Sequence, residues 1–252
     1  MNLDLNNLLG DWPHEPGQIK VRKIMGNDGL EKIQLRIDLG LIQMDVTGRP
    51  DGQRPHDCES LLAYHQKRAG EKEREQQPYT LNADECAELQ QEGIQYYHRY
   101  ISFFQLNDYE GVIRDTQRNL DLFDFIASHA EREELANALE QFRPYVIMMN
   151  TRAKAAIELD RNDFSTAVRL ITDGRERIAE LYQESGNPEM ITKSPEISFL
   201  DEWLEEVRAK RPLSKLEIMK KEMESAIASE AYERAAELRD AIRAYGQKTE
   251  GK

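Results

Sequence analysis

The residues with most chemical capacity lie in Arg49-Pro50-Asp51-Gly52-Gln53-Arg54-Pro55-His56-Asp57. Two arginine forks beside a histidine and two carboxylates suit an oxyanion or a phosphorylated group, because a guanidinium matches such oxygens two at a time. On that reading the segment is the seat of a hydrolase or transferase. On the alternative it is a turn shaped by proline and glycine, in which Asp57 caps the following helix. His56, Cys58 and His65 raise a metal site. Cys58 and His65 are seven residues apart, so on a helix they share a face two turns apart, too far for one small ion. Cys86 and His98 have no partner at ligand spacing. No glycine-rich phosphate loop, nucleophile elbow or HExxH occurs. No metal, cofactor or catalytic residue is therefore expected, and the chain reads as non-enzymatic.

A second polar constellation belongs to the strands. Lys20, Arg22, Lys32 and Arg36, with Gln34 and Gln43, fall on the outward face of a sheet. They would suit an acidic protein surface or nucleic acid, or be an ordinary solvated face. Asp38 and Asp45 interrupt them, and no aromatic among them would stack on bases.

Composition narrows the classes. The chain has 252 residues, of which 39% are hydrophobic and 32% charged, with a net charge of −13. Lys plus Arg against Asp plus Glu run 9 to 10 over residues 1–70, 17 to 29 over 71–213, and 8 to 8 over 214–252. The acidic excess sits in the middle, and such a surface repels phosphate backbones, which disfavours direct nucleic-acid binding there. No apolar run reaches the roughly 18 residues of a membrane span. The N-terminus lacks a basic region and a signal-peptide core, and the two cysteines form no CxxC pair. A cytoplasmic protein with free thiols is expected.

The elements that would hold these residues follow from periodicity. Ile19 and Val21, then Ile33, Leu35, Ile37 and Leu39, then Ile42, Met44 and Val46 alternate with polar residues and predict a three-stranded antiparallel meander. Gly26-Asn27-Asp28-Gly29 supplies the first turn, and Gly40 marks a bend before the third strand. A meander this small needs cover. Leu3, Leu5, Leu8, Leu9 and Trp12 and a helix over about 57–69 are the expected cover, which makes a lobe of residues 1–70. Residues 71–79, rich in charge and amide, read as a solvated linker. Residues 80–186 read as an acidic helical domain. It opens on a capping box, Asn82 with Glu85, and carries Tyr96, Tyr97, Tyr100, Phe103 and Phe104 at helical spacing. Further helices are predicted at about 109–129, 132–160 and 163–185, with Pro144 kinking or dividing the third of the domain. A connecting segment of residues 187–212 holds a helix over 195–210. The whole is α+β, with a hairpin of helices over 213–246 at the end.

Two stretches of the helical domain echo each other. Leu106-Asn107-Asp108-Tyr109-Glu110-Gly111-Val112 and Arg161-Asn162-Asp163-Phe164-Ser165-Thr166-Ala167 each set a polar turn before an aromatic, with an apolar residue three positions on. The pattern is similar to the turn of a tetratricopeptide repeat. The two aromatics stand 55 residues apart, whereas that repeat has a period of about 34. An ordinary antiparallel bundle with polar turns reads equally from these residues.

In the tail, Leu216, Met219, Met223 and Ala226 form one apolar stripe, and Ala231, Ala235, Leu238, Ile242 and Tyr245 another. Two such stripes zip together antiparallel across a short connection at Ser229-Glu230, with Ser214 and Glu217 as a second capping box. About thirty residues cannot bury enough surface to fold securely alone. Ile218, Ile227 and Tyr232 lie off the stripes, as a second apolar patch. The segment Leu216–Tyr245 resembles the UVR motif, the helical hairpin of the excision-repair proteins UvrB and UvrC. Glu222-Met223, Ala226, Tyr232-Glu233, Ala235-Ala236, Leu238-Arg239-Asp240 and Ile242 carry the resemblance. It implies pairing with a like hairpin, with Tyr232, Glu233, Arg239 and Asp240 at or near the contact. The helicase motifs of UvrB and the nuclease motifs of UvrC are missing, so neither activity is implied.

The expected function is an adaptor or scaffold that binds another protein, or a second copy as a homodimer, through residues 213–246. Its contact residues would be Ile218, Met223, Ile227, Tyr232, Glu233, Arg239, Asp240 and Ile242. The alternative is an accessory factor in nucleotide excision repair acting with Uvr-type proteins.

Overall fold

The computed structural model describes residues 5–212 and 215–249, with side chains for 5–212 and 218–243. It divides into two compact units, residues 1–205 and 206–252. The protein is α+β: an antiparallel meander, a stack of helices, and a terminal helical pair.

In the first unit a short helix, α1 (Asn6–Leu9), precedes strands β1 (Val21–Met25), β2 (Glu31–Ile37) and β3 (Gly40–Asp45), ordered β1-β2-β3. Ile33 pairs with Lys23 and Met44, and Leu35 with Val21 and Ile42. Because side chains alternate across a strand, this register gathers Ile33, Leu35 and Met44 on one face, and all three are buried. Gly40 opens β3 opposite Ile37, so the bend expected there is the tight Asp38-Leu39 turn.

The other face, read as outward and basic, is partly covered. Arg22 lies 4.1 Å over the Trp12 ring and donates to Gln34, which donates to Gln43 at 2.9 Å. Arg36 donates to the Trp12 carbonyl, and Lys32 is held by Asp28 and Asp45. Those two carboxylates raise the Lys32 pKa. Lys32 and Gln34 are buried. Trp12 thus covers Arg22, while Lys20 and Arg36 are half-buried and Gln43, Leu5 and Leu8 stay exposed; Leu3 lies outside the described residues.

The helices are α2 (Leu61–Arg74), α3 (Ala83–Gln105), α4 (Tyr109–His129), α5 (Glu133–Asn137), α6 (Arg143–Asp160), α7 (Phe164–Glu184) and α8 (Pro195–Lys210). The Asn82–Glu85 capping box forms on α3. Helix α2 runs to Arg74, so part of the charged stretch over 71–79 is its last turn. The expected helix over 132–160 is two, and Pro144 stands in the first turn of α6, where its missing N–H costs nothing. Helices α3, α4, α6 and α7 pack each against the next, and β2 packs on α3. Leu89, Phe103, Leu120, Ala153, Ala167 and Ile171 are fully enclosed in this stack. At Gly174 an added Cβ would lie 2.5 Å from Thr151 Cγ2, so α6 and α7 meet where only glycine fits.

The two echoing stretches build the same turn. Asn107 and Asn162 take left-handed φ of 56° and 60°. Asp108 N donates to Phe103 O at 2.9 Å and Asp163 N to Glu158 O at 2.8 Å, the six-to-one bond of a Schellman motif. Each aspartate then caps the next helix, accepting from Gly111 N and Thr166 N.

The candidate interaction surface of the C-terminal hairpin

The second unit is dominated by α9 (Lys215–Ala228) and α10 (Tyr232–Thr249), packed against each other. Their connection, Ser229–Ala231, repeats the turn geometry of the first unit. Glu230 takes φ 57°, Glu230 N donates to Ile227 O at 3.0 Å, and Ala231 N donates to Ala226 O at 2.8 Å. The chemistry differs. The left-handed position holds glutamate instead of asparagine, and the capping position holds Ala231, which has no oxygen for the exposed N–H groups of α10. Ala231, expected on the apolar stripe, is exposed in the turn.

Along the seam Ala226, Ala235 and Leu238 are buried, and Met219, Met223, Ala236 and Ile242 are half-buried. Two alanines and a leucine make a thin seam for a unit of this length, since ordering each residue costs about 1–2 kcal/mol in backbone entropy alone. The expected seam members Leu216 and Tyr245, and the Ser214–Glu217 cap, lie outside the described side chains.

Ile218, Ile227 and Tyr232 are 43%, 51% and 66% exposed. Tyr232 therefore does not pack inside the hairpin. The three do not form one patch, however. Ile218 and Ile227 are nine residues apart, about two and a half turns, and so point to opposite flanks of α9. Ile227 and Tyr232 both lie beside the connection, one at the end of α9 and the other at the start of α10. Glu233 is exposed. Arg239 and Asp240 are exposed and pair with each other at 2.9 Å. Arg234 reaches Glu237 at 2.9 Å and, across the seam, Glu222 at 3.9 Å. Such exposed pairs contribute at most about 1 kcal/mol.

The loop candidates divide: Arg54, His56 and Asp57 are exposed, with His56 stacked on Tyr64, while Arg49 and Asp51 brace the fold. Arg49 is paired with Asp51 and with the fully buried Glu92 of α3, and Asp51 accepts from Gln95. Glu92 also receives Arg118 and the backbone N–H groups of Leu61 at 2.7 Å and Leu62 at 3.2 Å. Burial, and then the nearby Arg49, push the Arg118 pKa down to about 9, so it stays charged at neutral pH. Ser60, not Asp57, caps α2, accepting from Ala63 N. Arg99 binds Asp115 through two nitrogens and donates to the carbonyls of Asp45 and Gly48. Sequence reasoning missed this network, in which Arg99 and the Asp45 carbonyl it bonds stand 54 residues apart. His65 bonds Tyr79 at 2.6 Å. Burial pushes the Cys86 thiol up, away from thiolate chemistry. Among the described residues no three His, Cys, Asp or Glu side chains gather as a metal site. No helix among them is long and apolar enough to cross a membrane.

The geometry defines a class: a helical hairpin with a thin seam and exposed apolar side chains beside its turn. The particular hairpin is the UvrB/uvrC motif, whose family model matches residues 214–248. Comparison of the whole chain with curated proteins and with solved structures returned no significant match.

Proposed function

We propose that this protein is a non-enzymatic adaptor whose C-terminal hairpin docks a like hairpin, on a second copy or on another protein carrying the motif. The observation that carries this reading is the contrast between a seam of Ala226, Ala235 and Leu238 and the exposure of Ile218, Ile227 and Tyr232. Covering the exposed part of Ile227 and Tyr232, which share the turn end, removes on the order of 200 Å² from water, roughly 5 kcal/mol before the costs of association and ordering. The uncapped turn at Glu230-Ala231 supports the same reading, because a hairpin short of its own stabilisation gains most from a partner. Arg239 and Asp240, paired on the outer surface, supply exchangeable charge for orientation.

The motif itself favours a second reading, an accessory role in excision repair beside Uvr-type proteins. Contact with DNA would then come through the partner, since Lys20, Arg22, Lys32 and Arg36 are each engaged by groups of the chain itself.

The test measures the mass of the full chain in solution and its affinity for a purified UvrB-type protein, for the wild type and for Ile227→Ser/Tyr232→Ser. Self-association or binding that weakens at least tenfold in the variant supports docking through the turn end. A wild type that is monomeric and does not bind, or a variant unchanged in both measurements, refutes it.

A further inference from the structure

A cavity of about 450 Å³ opens in the first unit between α3, α4 and the α5–α6 connection. That volume lies within the range of small-molecule sites, about 300–1,000 Å³. Its walls include the rings of Tyr97, Tyr100, Phe123, Phe142 and Tyr145 with Val146. No Asp, Glu, Lys or Arg lines it, in a chain where those types make up 32% of residues. His98 also faces it, and burial lowers the pKa of its imidazole, which keeps it neutral.

Tyr100 sets this cavity apart from a simple gap in packing. It is 1% exposed, yet its hydroxyl bonds to no group among the described residues. Arg118 Nε is the side-chain polar atom that is both fully enclosed and unpaired. The Tyr100 hydroxyl therefore keeps a sliver of accessible surface, on a residue that lines the cavity. Burial pushes its pKa up, so it is a hydroxyl donor and not a phenolate. Tyr97 stands edge-on to it with ring centres 5.5 Å apart, and Tyr145 lies 6.3 Å beyond Tyr97. A hydroxyl that no protein group pairs and that keeps a little accessible surface is left to water or to a ligand. Ile94, Tyr97 and Phe142, at 42%, 37% and 49% exposed, keep the entrance apolar.

We propose that this cavity binds a neutral, planar, mostly apolar small molecule with a hydrogen-bonding oxygen that reaches the Tyr100 hydroxyl. The walls hold no counter-charge for an anion or a cation, so a charged ligand would lose its hydration without replacement. The aromatic lining suits a flat ring system, and Tyr100, the most deeply buried of the three lining tyrosines, offers a hydroxyl to a carbonyl or phenolic oxygen, with Gln90, Asn119 and His98 as further neutral polar groups in the wall. This site is independent of the hairpin and of what docks there.

Nile red, a neutral planar dye with a ring carbonyl, probes the idea by fluorescence titration of the full chain. Saturable one-site binding is expected. Tyr100→Phe should weaken it about 3–10-fold, the loss of one hydrogen bond, and Ile94→Asp more than tenfold. Ile227→Ser/Tyr232→Ser should leave it unchanged. The anionic dye anilinonaphthalene sulfonate should bind at least tenfold more weakly. Absence of saturable binding overturns the proposal. So does binding indifferent to Tyr100→Phe, a variant that removes one oxygen and leaves the ring packing in place. Equal affinity for the anionic dye, or loss of Nile red binding in the hairpin variant, overturns it as well.

Discussion

Glu92→Gln tests the interior of the first unit most sharply. The Glu92 carboxylate is fully buried and neutralises Arg118 while accepting from Leu61 N and Leu62 N at the start of α2. Glutamine keeps the shape but offers one acceptor where the carboxylate offers two, and sets an N–H₂ against existing donors. Arg118, already short of one partner at Nε, is left as a buried cation with Arg49 nearby. Breaking a buried pair in this way costs about 3–5 kcal/mol. For a unit of this size that lowers Tm by about 6–20 °C. Trp12 and Trp203 both lie in this unit, so urea unfolding followed by tryptophan fluorescence measures the loss. Adding Arg118→Met should recover more than half of it, because methionine keeps the stem over Tyr96, where Arg118 now stacks at 4.0 Å, and removes the orphaned charge. A loss under about 1 kcal/mol, or a double variant no better than the sum of the two single changes, would show that the network does not hold this unit together.

Three other perturbations have definite signs. Gly174→Ala, normally favourable in a helix by about 1 kcal/mol, should instead destabilise by about 1–3 kcal/mol through its collision with Thr151. Adding Thr151→Gly should reverse most of that in the same urea assay. His65 is buried and its pKa is lowered by burial, so the unfolded chain takes up the proton first. The stability this adds is present above about pH 6.5 and declines as pH falls from there toward the folded pKa; His65→Phe should flatten part of the decline in Tm. His98, shifted in the same direction, leaves a residual slope. In the tail, Ala231→Asp supplies the missing N-cap and should stabilise the hairpin by about 1 kcal/mol. Hydrogen exchange of the α10 amides would show this, and unchanged exchange would contradict the account of the turn.

Much of the fold was legible in the chain because its signals are local. Asn82 and Glu85 announce the start of α3, and the alternation around Ile33 and Leu35 announces β2. The Asn-Asp-aromatic turns at 107–109 and 162–164 specify their hairpins through bonds spanning six residues. The tail hairpin was legible for the same reason, its stripes repeating at helical spacing. The cavity beside Tyr100 was not, since the aromatic run of α3 says only that those residues lie on a helix.

The sequence by itself determined which segments are helix and which are strand, and that the tail is a UVR hairpin, since caps, periodicity and turn residues act within one or two turns of chain. Only the tertiary structure decided which polar groups are braces and which are surface. Arg49, read as part of an anion-binding loop or a turn, is met by Glu92, 43 residues along the chain, and Arg99, which the sequence did not single out, by Asp115, 16 residues along. Lys32 and Gln34 read as solvated until Trp12 and the neighbouring strands partly close that face. Burial and pairing depend on elements brought together from distant parts of the chain, and the electrostatic cost of leaving such groups unpaired selects that arrangement over others the local pattern allows.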